Sequence, residues 1–302
     1  MSEHAVPDRG APARAGAIHD IGYRHYDGPR HGARYIQRSL FVETLRGTYG
    51  LGRSARSKVM PFLLLGLMVL PAVVMGIITS YVGLTAVPVR YTDYVMLVQL
   101  VVTIFVGSQS PAVMSRDLRF RVASLYFCRP LSRRQYVQAK LAGMTVALFI
   151  LMGLPVTLLF CSALLAELPL DEQVPDYLRA MAGVAIHAVV LAAVGLLVAA
   201  LTPRRGLGVA AVVAVLLVLS GMELTVRGLA SAFGNDTFLG YTGLISPYTL
   251  VDGVVTGALG ADSSGGQAPP GALGTVLFTL VTVVLLAACY SALVARYRKA
   301  LG

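Results

Sequence analysis

The sequence predicts an all-α, polytopic membrane protein with six transmembrane helices and both termini cytoplasmic. Amphipathic helices are expected on the cytoplasmic side, and a helical outer loop before the last span. Three observations carry this. Apolar residues make up 56% of the 302 and charged residues only 13%, where a soluble domain carries about 25% charged residues. With a mean hydropathy of +0.71, too little polar surface remains to coat a water-soluble body. Six stretches of roughly 20 mostly apolar residues run without the alternation of a barrel strand. The cations, finally, fall on one side of those stretches. An ordinary cytosolic enzyme, a secreted disulfide scaffold and a disordered basic tail are thereby excluded.

The elements follow in order. Residues 1–58 are a cytoplasmic segment: Met1–Gly16, rich in Ala, Pro, Gly and Arg, reads as disordered. Asp27-Gly28-Pro29 then reads as a turn, and Ala33–Leu45 as a helix. That helix either lies at the inner membrane surface with its arginines near anionic headgroups or serves as an ordered linker. The transmembrane domain, residues 59–295, has spans at about 59–80, 94–114, 141–165, 178–201, 207–226 and 272–295. No signal peptide is expected, because the first apolar run starts too late to be an h-region. Between the second and third spans lies the cationic loop 115–140, in which Leu118, Val122 and Leu125 recur with helical spacing. Pro130 stops that helix, and Ser132 can cap a new one. The outer loop 227–271 contains Ser246-Pro247, a cap followed by proline at the first helical position. The apolar TLVDGVVTGALG that follows is too short to span and can dip into the outer leaflet. Residues 296–302 form a cytoplasmic tail.

Orientation rests on the distribution of charge. With residue 1 inside, 22 of the 25 Lys and Arg lie on inner segments, beside 6 carboxylates. The outer side holds 3 cations and 9 carboxylates. The positive-inside rule then sets the topology. The net charge of +10 is a transmembrane asymmetry, and no solvated basic face is left for a nucleic acid.

Several constellations invite a chemical reading. Gly47–Ser54, GTYGLGRS, approaches a phosphate-binding loop, but Arg53 stands where lysine belongs and no strand precedes it. A glycine-rich hinge before the first span explains it better. His187 sits near the middle of the fourth span, where an ionisable residue is a functional candidate, although a neighbouring carbonyl or hydroxyl can satisfy it. Glu223 and Arg227 have the favourable i, i+4 order for an ion pair; a pathway-lining carboxylate is the sharper alternative. Gln99, Ser108, Gln109 and Ser110 give the second span a polar side that must face protein or water. Gln99, Gln109, His187 and Glu223 are therefore the pathway candidates. Ala185, Ala188, Ala192, Gly195 and Ala199 form a small-residue stripe, a helix-packing seam. Cys128, Cys161 and Cys289 have no metal-site spacing. The chain has no expected catalytic, metal or cofactor-binding residue and no ATPase site of its own.

At this point the residues resemble a family. Arg116–Lys140, RDLRFRVASLYFCRPLSRRQYVQAK, is similar to the loop between the second and third spans in the permease subunits of bacterial type-2 ATP-binding-cassette (ABC) transporters. The likeness lies in Arg116-Asp117, Arg129-Pro130-Leu131-Ser132-Arg133, Tyr136 and Ala139-Lys140, with IHDIGYRHYDGPR and ISPYTL similar elsewhere. The resemblance implies a subunit of the plasma (cytoplasmic) membrane that forms a translocation pathway, mostly for export. It would pair with a second permease chain, identical or homologous, and two copies of an ATPase subunit that bind ATP. Arg116, Asp117, Arg119, Arg121, Arg133 and Arg134 would then couple the chain to the ATPase, their cations pairing with its carboxylates. The alternative is an ion-coupled carrier or channel acting without an ATPase. The lack of an internal repeat and of mid-membrane carboxylates argues against it.

Overall fold

The structure, a computed structural model, describes residues 32–82, 86–114, 131–202, 205–262 and 268–299, together with Gly28. Every regular element among them is helical. In chain order these are α1 (Ala33–Thr48), α2 (Ala55–Val82), α3 (Tyr94–Leu97), α4 (Gln99–Val113), α5 (Arg133–Leu165) and α6 (Leu170–Leu201). After them come α7 (Arg205–Ala232), α8 (Asp236–Tyr241), a 3-10 turn (Thr242–Leu244), α9 (Pro247–Leu259) and α10 (Gly271–Lys299). Arg116, Asp117, Arg119 and Arg121, with Cys128 and the segment before Gly28, lie outside the described residues.

Five helices, α2, α5, α6, α7 and α10, are long and apolar enough to cross a membrane. The sixth stretch is divided. At Val98 the backbone turns to φ −103° and ψ 15°, separating α3 from the 15-residue α4. At 1.5 Å per residue α4 rises about 22 Å, short of the roughly 30 Å hydrocarbon thickness.

α6 is the core of the bundle. Of its most apolar window 67% is buried, against 17% for α7 and 22% for α10. It packs against α4, α5, α7, α9 and α10. The small-residue stripe makes this possible: Ala188, Ala192, Gly195 and Ala199 are buried and Ala185 half-buried. A Cβ on Gly195 would lie 2.5 Å from Val106 Cγ1 and 2.7 Å from Ser110 Oγ, so α4 approaches α6 where only glycine fits. Gly183, on the same helix, admits Val255 of α9 in the same way.

The bundle has two chemically distinct ends. At one, Ser132 caps α5: Gln135 N–H donates to Ser132 Oγ and Ser132 N–H donates to Gln135 Oε1, a complete capping box. Tyr136 packs on Tyr297, whose hydroxyl donates to Met114 Sδ, and Arg296 Nε donates to the Ala200 carbonyl. The starts of α2 and α5 and the ends of α4, α6 and α10 therefore meet at a basic end, with Arg53, Arg56, Lys58, Arg133, Arg134, Lys140 and Arg298. At the other, Tyr91 donates to Gln173 Oε1 at 2.5 Å and lies edge-on to Tyr177, which stacks on Phe160. Arg90 pairs with Asp262, and Glu167, Asp171, Glu172 and Asp176 make this end acidic. Burial and the neighbouring Asp176 carboxylate push the Tyr91 phenol up to about 12.

Candidate functional site

Two places concentrate chemistry: a polar junction inside the bundle and a clamp at the basic end.

The junction is built on α9. Ser246 caps the helix, its Oγ accepting from Tyr248 N–H at 3.4 Å, and Pro247 takes the first position, where no N–H is needed. Ser246 Oγ also lies 3.1 Å from Ser220 Oγ, near the middle of α7. α9 thus begins at mid-bundle and runs toward the acidic end, where Asp262 meets Arg90 and Thr92. It is buried between α6 and α10, with Gly253 against the Phe278 ring and Gly257 against Thr275. The first part of the segment expected to dip into lipid, Pro247–Val255, is buried among helices, while Gly257–Gly260 are exposed.

Tyr248 ties three helices together. Its hydroxyl lies 2.8 Å from Thr103 Oγ1 and donates to the Gln99 carbonyl at 3.3 Å, both on α4. Its own carbonyl oxygen lies 3.2 Å from His187 Nε2. His187 Nδ1 in turn lies 3.0 Å from the Gly183 carbonyl. Both ring nitrogens therefore face acceptors, and a neutral imidazole can donate to only one of them at a time. Asp252, one turn along α9, is 3% exposed. With His187, Thr92 and Gly183 it borders a space of about 10 Å³, room for about one water.

The pathway candidates are not gathered into one site. Gln99 contributes its carbonyl to the Tyr248 junction, and His187 belongs to the same junction. Gln109 lies ten residues along α4, about 15 Å away, and donates to Ser108 Oγ at 3.2 Å. Glu223 accepts from Arg227 Nε at 2.8 Å, with side chains 6% and 26% exposed. Ser110 Oγ, wedged against Gly195, has no hydrogen-bond partner among the described residues. Asp252 escaped the sequence reading. It sits in an apolar stretch too short to span, and the available signal was a lone carboxylate in that stretch after a Ser-Pro cap.

The clamp joins α1 to α5. Leu40, Thr44 and Thr48, spaced four apart, form the buried face of α1. Thr44 and Thr48 turn their hydroxyls onto the carbonyls of Leu40 and Thr44, leaving methyl groups for packing. Gly143 of α5 takes the Thr44 side chain at a distance where a Cβ would be 2.8 Å away. Tyr49 closes the contact: its hydroxyl donates to the Ala147 carbonyl at 2.8 Å, and its ring packs on Phe62 of α2 and Phe105 of α4. Burial holds the Tyr49 phenol well above the ordinary tyrosine range.

Gly47–Ser54 connects two helices. Leu51 N–H bonds the Arg46 carbonyl and Gly50 N–H the Gly47 carbonyl, with Gly50 at φ +67°. This is the Schellman closure of α1, without the strand-to-helix geometry of a phosphate loop. Arg133 and Arg134 are exposed in the first turn of α5 and make no ion pair among the described residues. Also among the described residues, no three His, Cys, Asp or Glu side chains converge as metal ligands would. No family model and no curated protein matches the chain.

Proposed function

We propose that the chain is the permease subunit of an ABC transporter of the plasma membrane, an exporter, driven by a separate ATPase that docks at the basic end. The observation that carries this is the clamp between α1 and α5. α5 has 33 residues and rises about 50 Å, so several turns project beyond a hydrocarbon core of about 30 Å. α1 is locked to its basic half by Gly143, Thr44 and Tyr49. A push on α1 or on the first turn of α5 is therefore delivered to a spanning helix without an intervening loop. Arg133 and Arg134 lie in that first turn, where the helix dipole disfavours cations by about 0.3–1 kcal/mol each. A carboxylate-bearing partner surface would offset that cost.

The resemblance of Arg116–Lys140 to the permease loop gives the partner its class. The ATPase hydrolyses ATP, and a second permease chain completes the assembly. Purifying the chain with the products of neighbouring genes tests this. A stoichiometric ATPase is expected, and a stable complex without one refutes the assignment. Within the complex, Gly143→Val should leave insertion and ATP hydrolysis intact while uncoupling hydrolysis from transport. Charge reversal at Arg116 and Arg119 should do the same by weakening docking.

A second reading, an ion-coupled carrier, is favoured by one observation: Asp252 and His187 are buried together in the bundle. It requires flux in liposomes containing the chain alone, abolished by Asp252→Asn. The exporter reading requires no such flux.

A further inference from the structure

α1 and the loop that follows it line an open groove of about 570 Å³ that the proposed function does not use. Its size falls within the roughly 300–1,000 Å³ of small-molecule sites. Three guanidiniums, those of Arg38, Arg46 and Arg53, line it with one carboxylate, Glu43. The Schellman closure creates this arrangement. Gly50 occupies a position where a Cβ would be 2.5 Å from the Ser57 carbonyl oxygen, so the chain turns there only because it is glycine. The turn folds Arg53 back over Gly47, its guanidinium 3.5 Å from where a Cβ would stand. The Arg46 guanidinium lies 3.9 Å from the same position on Gly52. None of the three arginines makes an ion pair or side-chain hydrogen bond among the described residues. Three donor forks with a surplus of two positive charges thus face one open space.

Tyr35, Val42 and Leu51 add exposed apolar surface to the lining, at 56%, 39% and 42%, beside the Ser39 hydroxyl. Directly beyond the loop, the outward face of α2 presents Val59, Met60, Phe62 and Leu63, also exposed, at the beginning of a spanning helix. A cationic groove followed along the chain by an exposed apolar strip fits a ligand with a phosphate head and a hydrocarbon tail. Free phosphate would use the guanidiniums and leave the strip idle. The geometry points to a specific site for one acidic phospholipid, its phosphate held by Arg38, Arg46 and Arg53 and its acyl chain laid along α2. This inference does not depend on the exporter assignment.

The test uses the purified full chain in mild detergent, titrated with phosphatidylglycerol, phosphatidylcholine or inorganic phosphate and read by native mass spectrometry. One phosphatidylglycerol per chain should bind at least tenfold more tightly than phosphatidylcholine, and inorganic phosphate at equal concentration should not displace it. The double variant Arg46→Gln, Arg53→Gln should weaken phosphatidylglycerol about 25-fold, the product of roughly fivefold per cation. Arg56→Gln with Lys58→Gln removes the same charge outside the groove lining, where no direct contact to a bound phosphate is lost, and should weaken binding clearly less than the groove pair. Equal losses in the two double variants would mean diffuse surface attraction and overturn the site. So would equal binding of the two lipids, or displacement by inorganic phosphate. The lipid comparison on the unmodified chain stands whether or not a variant folds.

Discussion

Replacing Gly195 tests the tightest contact in the bundle. The Cβ of Gly195→Ala would sit 2.5 Å from Val106 Cγ1 and 2.7 Å from Ser110 Oγ. Valine is stiff at χ1 and both neighbours are buried on α4, so the backbones must separate. Overpacking of this kind costs about 1–3 kcal/mol, against about 1 kcal/mol gained from the better helix former. The net loss for alanine is therefore about 0–2 kcal/mol. Leucine adds three carbons with no space to enter and should lose about 3 kcal/mol. At roughly 2–4 °C per kcal/mol for a chain of this size, Gly195→Leu should melt about 6–12 °C lower in detergent. Gly221→Ala is the control, because no atom lies within 4 Å of its Cβ position; its melting temperature should stay level or rise. Adding Val106→Ala to Gly195→Ala removes the closer clash and should recover part of the loss. A Gly195→Leu protein that melts within 2 °C of the unmodified chain, by the same scale, would refute the close approach of α4 to α6.

Three further outcomes follow from the polar contacts. His187→Leu removes the one hydrogen bond that the imidazole can donate to the Tyr248 or Gly183 carbonyl, a loss of about 0.5–1.5 kcal/mol. It should also accelerate amide exchange in α9, and unchanged exchange there would detach His187 from that helix. Arg227→Leu strands the buried Glu223 carboxylate and should cost about 3 kcal/mol, while Glu223→Gln with Arg227→Gln should cost less; equal losses would deny the pair. Tyr91, raised by burial and then by Asp176, is stabilised in its neutral form. Its contribution is complete below pH 10, the unfolded value, and is lost as pH rises through about 12. The ultraviolet difference titration of the unmodified chain minus Tyr91→Phe should show a midpoint near 12, and a midpoint at 10 would contradict the burial.

How far these contacts were legible in the sequence depended on the range of the forces that set them. The stripe Ala188, Ala192, Gly195 and Ala199 announces a seam, because helical periodicity is local and places small residues on one face. Its partner on α4 is a tertiary fact that no spacing within α6 could name. The capping box at Ser132 and the start of α9 at Ser246-Pro247 were readable for the same local reason. Hydropathy marked five long helices and a sixth stretch that the structure divides at Val98. A window average cannot register the turn at Val98, where Tyr94 donates its hydroxyl to the Met68 carbonyl of α2 and anchors the short helix separately. The meeting of His187 with Asp252 was hidden for a different reason. A 13-residue apolar stretch is classed by length as a loop, and only the close approaches at Gly183, Gly253 and Gly257 carry it into the bundle interior.

The filled interior around α6 bears on where a cargo can travel. Five helices close on α6, and the space beside His187 and Asp252 holds about one water. An amphiphile cannot thread such an interior without prising the helices apart. Under the exporter assignment one polypeptide is therefore half a conduit: a wall with a solid back. The outward faces of α2, α7 and α10, with most of their apolar windows uncovered, are the surfaces that on this assignment would meet a second chain or the surrounding lipid.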